Sequence, residues 1–286
     1  IFLGTRETYA PEGVADLLAL RPKPGRLEDI LSDVRECLDS HTISSGKAAS
    51  LRGRLMHLAG VFASRLGRSH LFAFDAVDSD GRCEVTPQLR ACLLFTVELI
   101  GLQPWRDVEL AASARRHTTV ISDASYELDA SGNPCSRICF IVADPEFQTR
   151  RGCVFDLPLE FIASLKERKN QIAVMEALGP ILALIFESSF LAHSLVTFWL
   201  DNMSALSGFV SGSSKAADLG SLIFGAHMCF ATRSMRAWWE YVPSASNISD
   251  GGSRVGEADP AARAAGITLR TLPFPMSLRE LVYADP

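Results

Sequence analysis

The sequence predicts a mainly helical region over residues 1–117, then an α/β domain over residues 118–256 built on a mixed five-stranded sheet with flanking helices, and a C-terminal extension over residues 257–286. Three observations predict this division. Apolar residues in the first part recur at helical spacing. From Thr118 the period shortens to that of strands. From there the elements follow the order three strands, helix, strand, helices, strand, which describes an α/β layer arrangement. A length of 286 residues accommodates two domains at roughly 150 residues each.

The elements follow in order. Phe2-Leu3 reads as a short apolar strand ahead of the punctuated stretch Pro22-Lys23-Pro24-Gly25. Leu27, Ile30, Leu31, Val34 and Leu38 mark one face of a helix from Leu27 to Leu38. Ser44 or Ser45 can cap a second helix reaching about Leu66, with Leu51, Leu55, Leu58 and Val61 as its stripe. A third spans Pro87 to Ile100, with proline in its first turn, where the missing N–H costs nothing. In the second part, Thr118 to Ser122 is a strand-like run ending on Asp123, and Ile138–Val142 and Cys153–Phe155 are two more. A helix starts near Asn170. The unbroken run Leu195 to Leu200 suits a strand covered on both faces. A helix over Ala216–Ser234 and a strand over Trp238–Val242, stopped by Pro243, complete the domain. Residues after Gly256 are rich in Ala, Pro and Arg and read as a loosely ordered extension.

Composition excludes several classes. With 48% hydrophobic and 21% charged residues the chain is neither disordered nor collagen-like. A net charge of −5 argues against holding nucleic acid by bulk charge, so any such grip must come from local basic faces. Seven cysteines, an odd count in a chain of this length, point to a reducing, intracellular setting without separating cytoplasm from nucleus. The most apolar window, Ile172 to Phe186, is interrupted by Glu176 and Pro180 and is too short for roughly 30 Å of hydrocarbon, so no membrane partner is expected. The chain opens on Ile1-Phe2-Leu3-Gly4, without a Met or a basic leader, as expected of a piece of a longer polypeptide.

Between Ser44 and His70 stand Lys47, Arg52, Arg54, Arg65 and Arg68 with no acidic residue. Such a run is either a solvated helix face or a surface that tracks phosphates. Cys135, Cys139 and Cys153 lack a fourth zinc ligand nearby and read as structural thiols. Gly220 to Gly225 has no following Lys-Ser/Thr, so it is not a phosphate loop. No G-x-S-x-G elbow supports a serine hydrolase. Of the tandem Trp238-Trp239, alternation along a strand puts at least one in the core.

Four acids are conspicuous by position. Asp123 ends the first strand of the second part, Glu176 lies in an apolar helix, Asp201 follows six apolar residues, and Asp250 sits just past the last strand. Each has a plainer use, as a helix cap, a turn former or a surface group. As a set on successive strands and helices they suggest convergence, and converging carboxylates must share protons or bind cations. All-oxygen ligation suits Mg²⁺ or Mn²⁺ and two-metal phosphodiester hydrolysis.

The blocks that carry these acids are Val120-Ile121-Ser122-Asp123-Ala124-Ser125, Gln171 to Leu178, Phe198-Trp199-Leu200-Asp201-Asn202 to Leu206, and Val242 to Arg254 with Ser249-Asp250-Gly251-Gly252-Ser253-Arg254 at its end. Over Thr118 to Arg254 the chain resembles the RNase H-like domain of retrotransposon reverse transcriptases, of the DIRS-like and Ty3-like kind. The first part is similar, more weakly, to the thumb and connection of such enzymes: Phe2-Leu3-Gly4 resembles the turn that ends the palm, and Leu51-Arg52-Gly53-Arg54-Leu55 the connection helices.

The resemblance implies that Asp123, Glu176, Asp201 and Asp250 are catalytic, metal-binding acids. It implies cleavage of the RNA strand of an RNA–DNA hybrid, with Mg²⁺ or Mn²⁺ as cofactor. It also implies an upstream polymerase region as partner and no polymerase site here. Nucleic acid would be met by Lys47, Arg52, Arg54, Arg65, Arg68, Asn202 and Ser125. Two features depart from the pattern. The ring of Pro180 meets the carbonyl of Glu176, and a kink there would swing the acid away. No histidine follows His227, where many relatives carry a mobile one near the fourth acid. The alternatives are a catalytically decayed module that binds nucleic acid or serves structurally, and an integrase-like nuclease.

Overall fold

The computed structural model describes residues 5–9, 17–77, 82–109, 115–128, 132, 134–146, 148–165 and 171–275. The expected strand and palm turn at Phe2-Leu3-Gly4 lie outside them. The chain divides into two compact units, Ile1–Ala114 and Arg115–Pro286.

In the first unit, β1 (Thr5–Tyr9) and β2 (Leu17–Pro22) pair antiparallel. The chain then enters α1 (Arg26–Ser40) through Gly25, whose positive φ of 81° suits a residue without a side chain. A short β3 (Thr42–Ser44) leads into α2 (Ser45–Val61), where the Ser44 side chain accepts from the Lys47 N–H as the sequence predicts. After two 3₁₀ segments, β4 (Arg82–Glu84) pairs with β3. α3 (Pro87–Leu102) begins with a Thr86 cap and proline in its first turn. β5 (Asp107–Glu109) joins β2, closing a three-stranded sheet that apolar periodicity did not reveal. Ile30, Val34, Leu51, Leu55, Leu58, Leu89 and Leu93 form the buried interior. The second helix stops at Val61, short of Leu66, because Phe62 turns extended and starts a 3₁₀ segment.

The second unit holds β6 (His117–Leu128), β7 (Pro134–Asp144) and β8 (Thr149–Asp156), followed by α4 (Leu159–Ser164), α5 (Ile172–Phe186) and α6 (Ser188–Leu191). Then come β9 (Leu195–Leu200), α7 (Met203–Ser211), α8 (Ala217–Thr232), β10 (Arg236–Tyr241), α9 (Asp250–Val255), α10 (Pro260–Ala264) and β11 (Thr268–Thr271). The sheet order is β10-β9-β6-β7-β8-β11. β6, β7 and β8 form an antiparallel meander, while β9 and β10 run parallel to β6. A meander extended on one side by two parallel crossover strands, with helices packed on it, is the RNase H-like fold.

Two expectations need correction. Among the described residues the sheet has six strands, not five. The sixth, β11, comes from the stretch read as a loosely ordered extension and pairs parallel with β8. Its few residues carry little periodic signal, but Ile267 and Leu269 are buried against Cys139, Ile141 and Val154. The second correction concerns Pro180, which lies inside an unbroken α5. Every residue from Val174 to Leu184 is buried, so packing on all sides holds the helix on course despite the missing N–H. Of the tandem tryptophans, Trp239 stacks on Phe209 and Phe198 at 4.2 and 4.5 Å, whereas Trp238 is exposed.

Candidate active site

Strand register brings the first two acids together. β9 runs parallel to β6 with Ile121 opposite Trp199. Carried two residues further, the same register sets Asp201, the first residue past β9, beside Asp123. Asp123 does not end its strand. β6 continues to Leu128, because the stretch after Asp123 pairs with residues 134–138 of β7, so ladder bonds extend it where hydropathy does not. The third acid, Glu176, comes from α5, which packs on β6 one turn away at Gly179 against Ser122. One carboxylate oxygen from each of Asp123, Glu176 and Asp201 lies within 4.8 Å of the others.

Asp123 and Glu176 are each only 4% exposed. Burial raises the Asp123 carboxyl to about 7, opposed by the Ser253 hydroxyl and reinforced by the charges of Asp201 and Asp250. Burial also pushes Glu176 well above the carboxylate range, with Asp123 and Asp201 adding to it and the Ala124 backbone opposing. At an effective dielectric of 20, two such charges 4 Å apart repel by about 4 kcal/mol. The cluster is therefore unfavourable unless it holds protons or a cation.

The donor set fits a hard divalent cation. All three groups are carboxylates, and Glu176 Oε2 is buried without a hydrogen-bond partner, an orphan that a cation would satisfy. Asp123 is oriented by neighbours that sequence reasoning missed. Asn247 Nδ2 donates to Asp123 Oδ1 and to the Ser122 carbonyl, both at 3.1 Å, and the Ser253 hydroxyl donates to Asp123 Oδ2. Asn247 is itself held through Oδ1 by the Ser249 N–H and hydroxyl. These residues stand inside the block that carries Asp250, but their role depends on a fold-back onto β6 that spacing does not show. Gly252 permits it: a Cβ there would fall 2.4 Å from Cys139 Sγ, opposite Asp123 on β7.

Asp250 begins α9 and is not one of the three clustered acids. Both its oxygens accept from Arg254 Nε, at 2.9 and 3.0 Å. Its charge still reaches Asp123 and Glu176. Asn202 caps α7, its Oδ1 accepting from the Ser204 and Ala205 N–H groups. The Ser125 hydroxyl donates to the Ser253 carbonyl at 2.8 Å, tying α9 to β6.

The basic run of the first unit is not an open cationic row. Lys47 pairs with Asp33 and Glu36 at 3.0 and 2.6 Å, Arg54 pairs with Asp33, and Arg52 pairs with Asp75 at 3.0 Å. The stretch contains no acid, but neighbouring elements in the fold supply them. Arg65 and Arg68 sit in the 3₁₀ segments beyond α2, with Arg68 Nε buried. The seven cysteines are free thiols, and among the described residues none joins a metal-ligating group.

No family model matches the chain, and no curated protein matches it. Among solved structures, it is similar to the N-terminal RNase H domain of a Mycobacterium tuberculosis protein, solved fused to maltose-binding protein, at 19% identity and a TM-score of 0.39, over 52% of this chain and 99% of that one. It is similar to ribonuclease H1 of the archaeon Halobacterium salinarum at 13% identity and a TM-score of 0.36, over 46% of this chain and 89% of that one. It is also similar to the protease–reverse transcriptase of prototype foamy virus at 9% identity and a TM-score of 0.32, over 46% of this chain and 19% of that one.

Proposed function

We propose that the chain is an RNase H-type endonuclease that hydrolyses the RNA strand of RNA–DNA hybrids, as part of a retroelement reverse transcriptase of DIRS-like or Ty3-like kind. One observation carries this reading: three buried or half-buried carboxylates on β6, α5 and the end of β9 converge to within 4.8 Å. The RNase H-like sheet that delivers them supports it, as do the sequence blocks around each acid.

Asp123, Glu176 and Asp201 would hold Mg²⁺ or Mn²⁺, with Asp250 beside them. The cation supplies Lewis-acid polarisation of the phosphodiester and activation of water. The protein's part is preorganisation. Asn247 and Ser253 fix the Asp123 carboxylate, Gly179 lets Glu176 approach, and the β6–β9 register places Asp201. Asn202 spends Oδ1 on its helix cap, which leaves Nδ2 as a donor for a sugar or phosphate next to Asp201. Because Lys47, Arg52 and Arg54 neutralise acids of their own unit, hybrid binding is assigned to the surroundings of the carboxylates ahead of that helix. We assign the first unit the role of thumb and connection, working with a polymerase region upstream.

The alternative of a decayed module draws on Pro180, on the absence of a histidine after His227 and on the net acidity; α5 runs unbroken through Pro180 and keeps Glu176 in the cluster. The test is a nicking assay on an end-labelled hybrid with Mg²⁺. The chain should cut the RNA strand, and Asp123→Asn should abolish cutting. Equal activity in the variant would refute the assignment.

A further inference from the structure

The fourth acid differs from the other three in already having a cation. Arg254, one helical turn after Asp250, donates Nε to both Asp250 oxygens, and its Nη1 lies 3.6 Å from Glu127. The backbone of this segment is fixed: the Arg254 carbonyl accepts from Arg137 Nη1 at 2.9 Å, and the preceding carbonyl accepts from Ser125. The Arg254 side chain is not fixed in the same way, being 57% exposed. An exposed i,i+4 pair of this kind is weak and exchanges readily for another anion. A guanidinium also matches phosphate geometry as well as it matches a carboxylate.

We propose that Arg254 is a positioning residue, the built-in counter-ion of Asp250, which keeps the fourth acid out of the cluster until a phosphodiester draws the guanidinium away and a second divalent cation replaces it. The inference rests on reading Asp123, Glu176 and Asp201 as a metal centre. The free chain then takes one divalent ion, and the second is admitted by substrate. The order protects the site, because a second ion is held only when there is a phosphate to act on.

Calorimetric titration of the full chain with Mn²⁺ tests this without reference to activity. Wild type should bind one ion, Arg254→Ala and Arg254→Gln two, and Asp250→Asn combined with Arg254→Ala one again. Wild type in complex with a hybrid whose RNA strand is 2′-O-methylated, and so not cleavable, should take two ions beyond those bound by the duplex alone, one more than the free chain. One ion in both single variants, or no additional ion with the hybrid, would overturn the proposal while leaving the metal centre standing. A wild type that binds no ion would overturn the metal centre and the proposal together. Thermal melts of each variant identify loss of fold, and the two single variants guard against a defect peculiar to one of them.

Discussion

Gly179 lies so close to Ser122 that a Cβ on the glycine would fall 2.5 Å from the Cβ of the serine. This contact sets the distance between α5 and β6, and Glu176 stands one turn back on the same helix. A helix carrying any larger residue at 179 must stand off from the sheet and take Glu176 with it.

Gly179→Ala should therefore destabilise the chain by about 1–3 kcal/mol through overpacking, despite the better helix propensity of alanine. It should also weaken divalent-ion binding. Adding Ser122→Gly, which removes the opposing Cβ, should restore much of both. Urea denaturation and calorimetric titration of the single and double variants measure the two effects. Full stability in Gly179→Ala would show that the contact does not set the spacing.

The raised carboxyls make stability depend on pH. Asp123 is lifted from 3.8 to about 7, and Glu176 is lifted in the same direction. The folded state thus holds protons that the unfolded chain releases above pH 4. The stabilising contribution is complete below about pH 4 and lost as pH rises through about 7. In EDTA, the melting temperature should fall between pH 5 and pH 8, and Asp123→Asn should flatten that fall. Divalent ions need the deprotonated groups, so Mg²⁺ should raise the melting temperature more at pH 8 than at pH 5. A melting temperature in EDTA that does not change between these pH values would count against a protonated cluster.

Asn247 and Ser253 are 5% and 0% exposed, and both bond the Asp123 carboxylate. Truncating either leaves buried partners unsatisfied, so Asn247→Ala and Ser253→Ala should each cost about 1–3 kcal/mol. The two differ in reach. Asn247 also holds the Ser122 carbonyl and the Ser249 turn, so its loss should cost more stability. Ser253→Ala removes the hydroxyl that favours ionised Asp123, which should move the apparent ionisation of the site upward in a pH titration of metal binding.

Much of this architecture was legible because it rests on local pattern. The apolar run of β9, the shift of period at Thr118 and the proline at the start of α3 each read directly as elements. Asp123, Glu176 and Asp201 stood out because each interrupts an apolar context or ends one, whereas Asp250 stands in a turn-like stretch and stood out by its place in the set. What was hidden depends on contacts distant in sequence. β11 is four residues long and is a strand only because β8 offers it an edge. Asp33, Glu36 and Asp75 neutralise Lys47, Arg54 and Arg52 from other elements, so a run free of acids in sequence is not free of them in space. The Asp123 clamp requires α9 to fold back 130 residues along the chain, a pairing no window contains. Pro180 misled for a related reason: its propensity cost is local, while the packing that overrides it surrounds α5 from Val174 to Leu184.

Glu176 separates the roles of charge and shape in this cluster. Its Oε2 is buried without a hydrogen-bond partner, its carboxyl is pushed well above the carboxylate range by burial and by Asp123 and Asp201, and its helix is buried from Val174 to Leu184. Glu176→Gln keeps the volume and removes the charge. If the carboxylate exists to bind a cation, it is a cost to the metal-free fold, and the glutamine variant should be at least as stable as wild type in EDTA at pH 8. The same variant should lose the rise in melting temperature that Mg²⁺ gives wild type, together with hybrid cleavage. Were the acid merely structural, removing its charge would lower stability in EDTA and leave the Mg²⁺ response untouched. Two melts per protein, with EDTA and with Mg²⁺, therefore distinguish a site built for a cation from a buried acid that serves the fold.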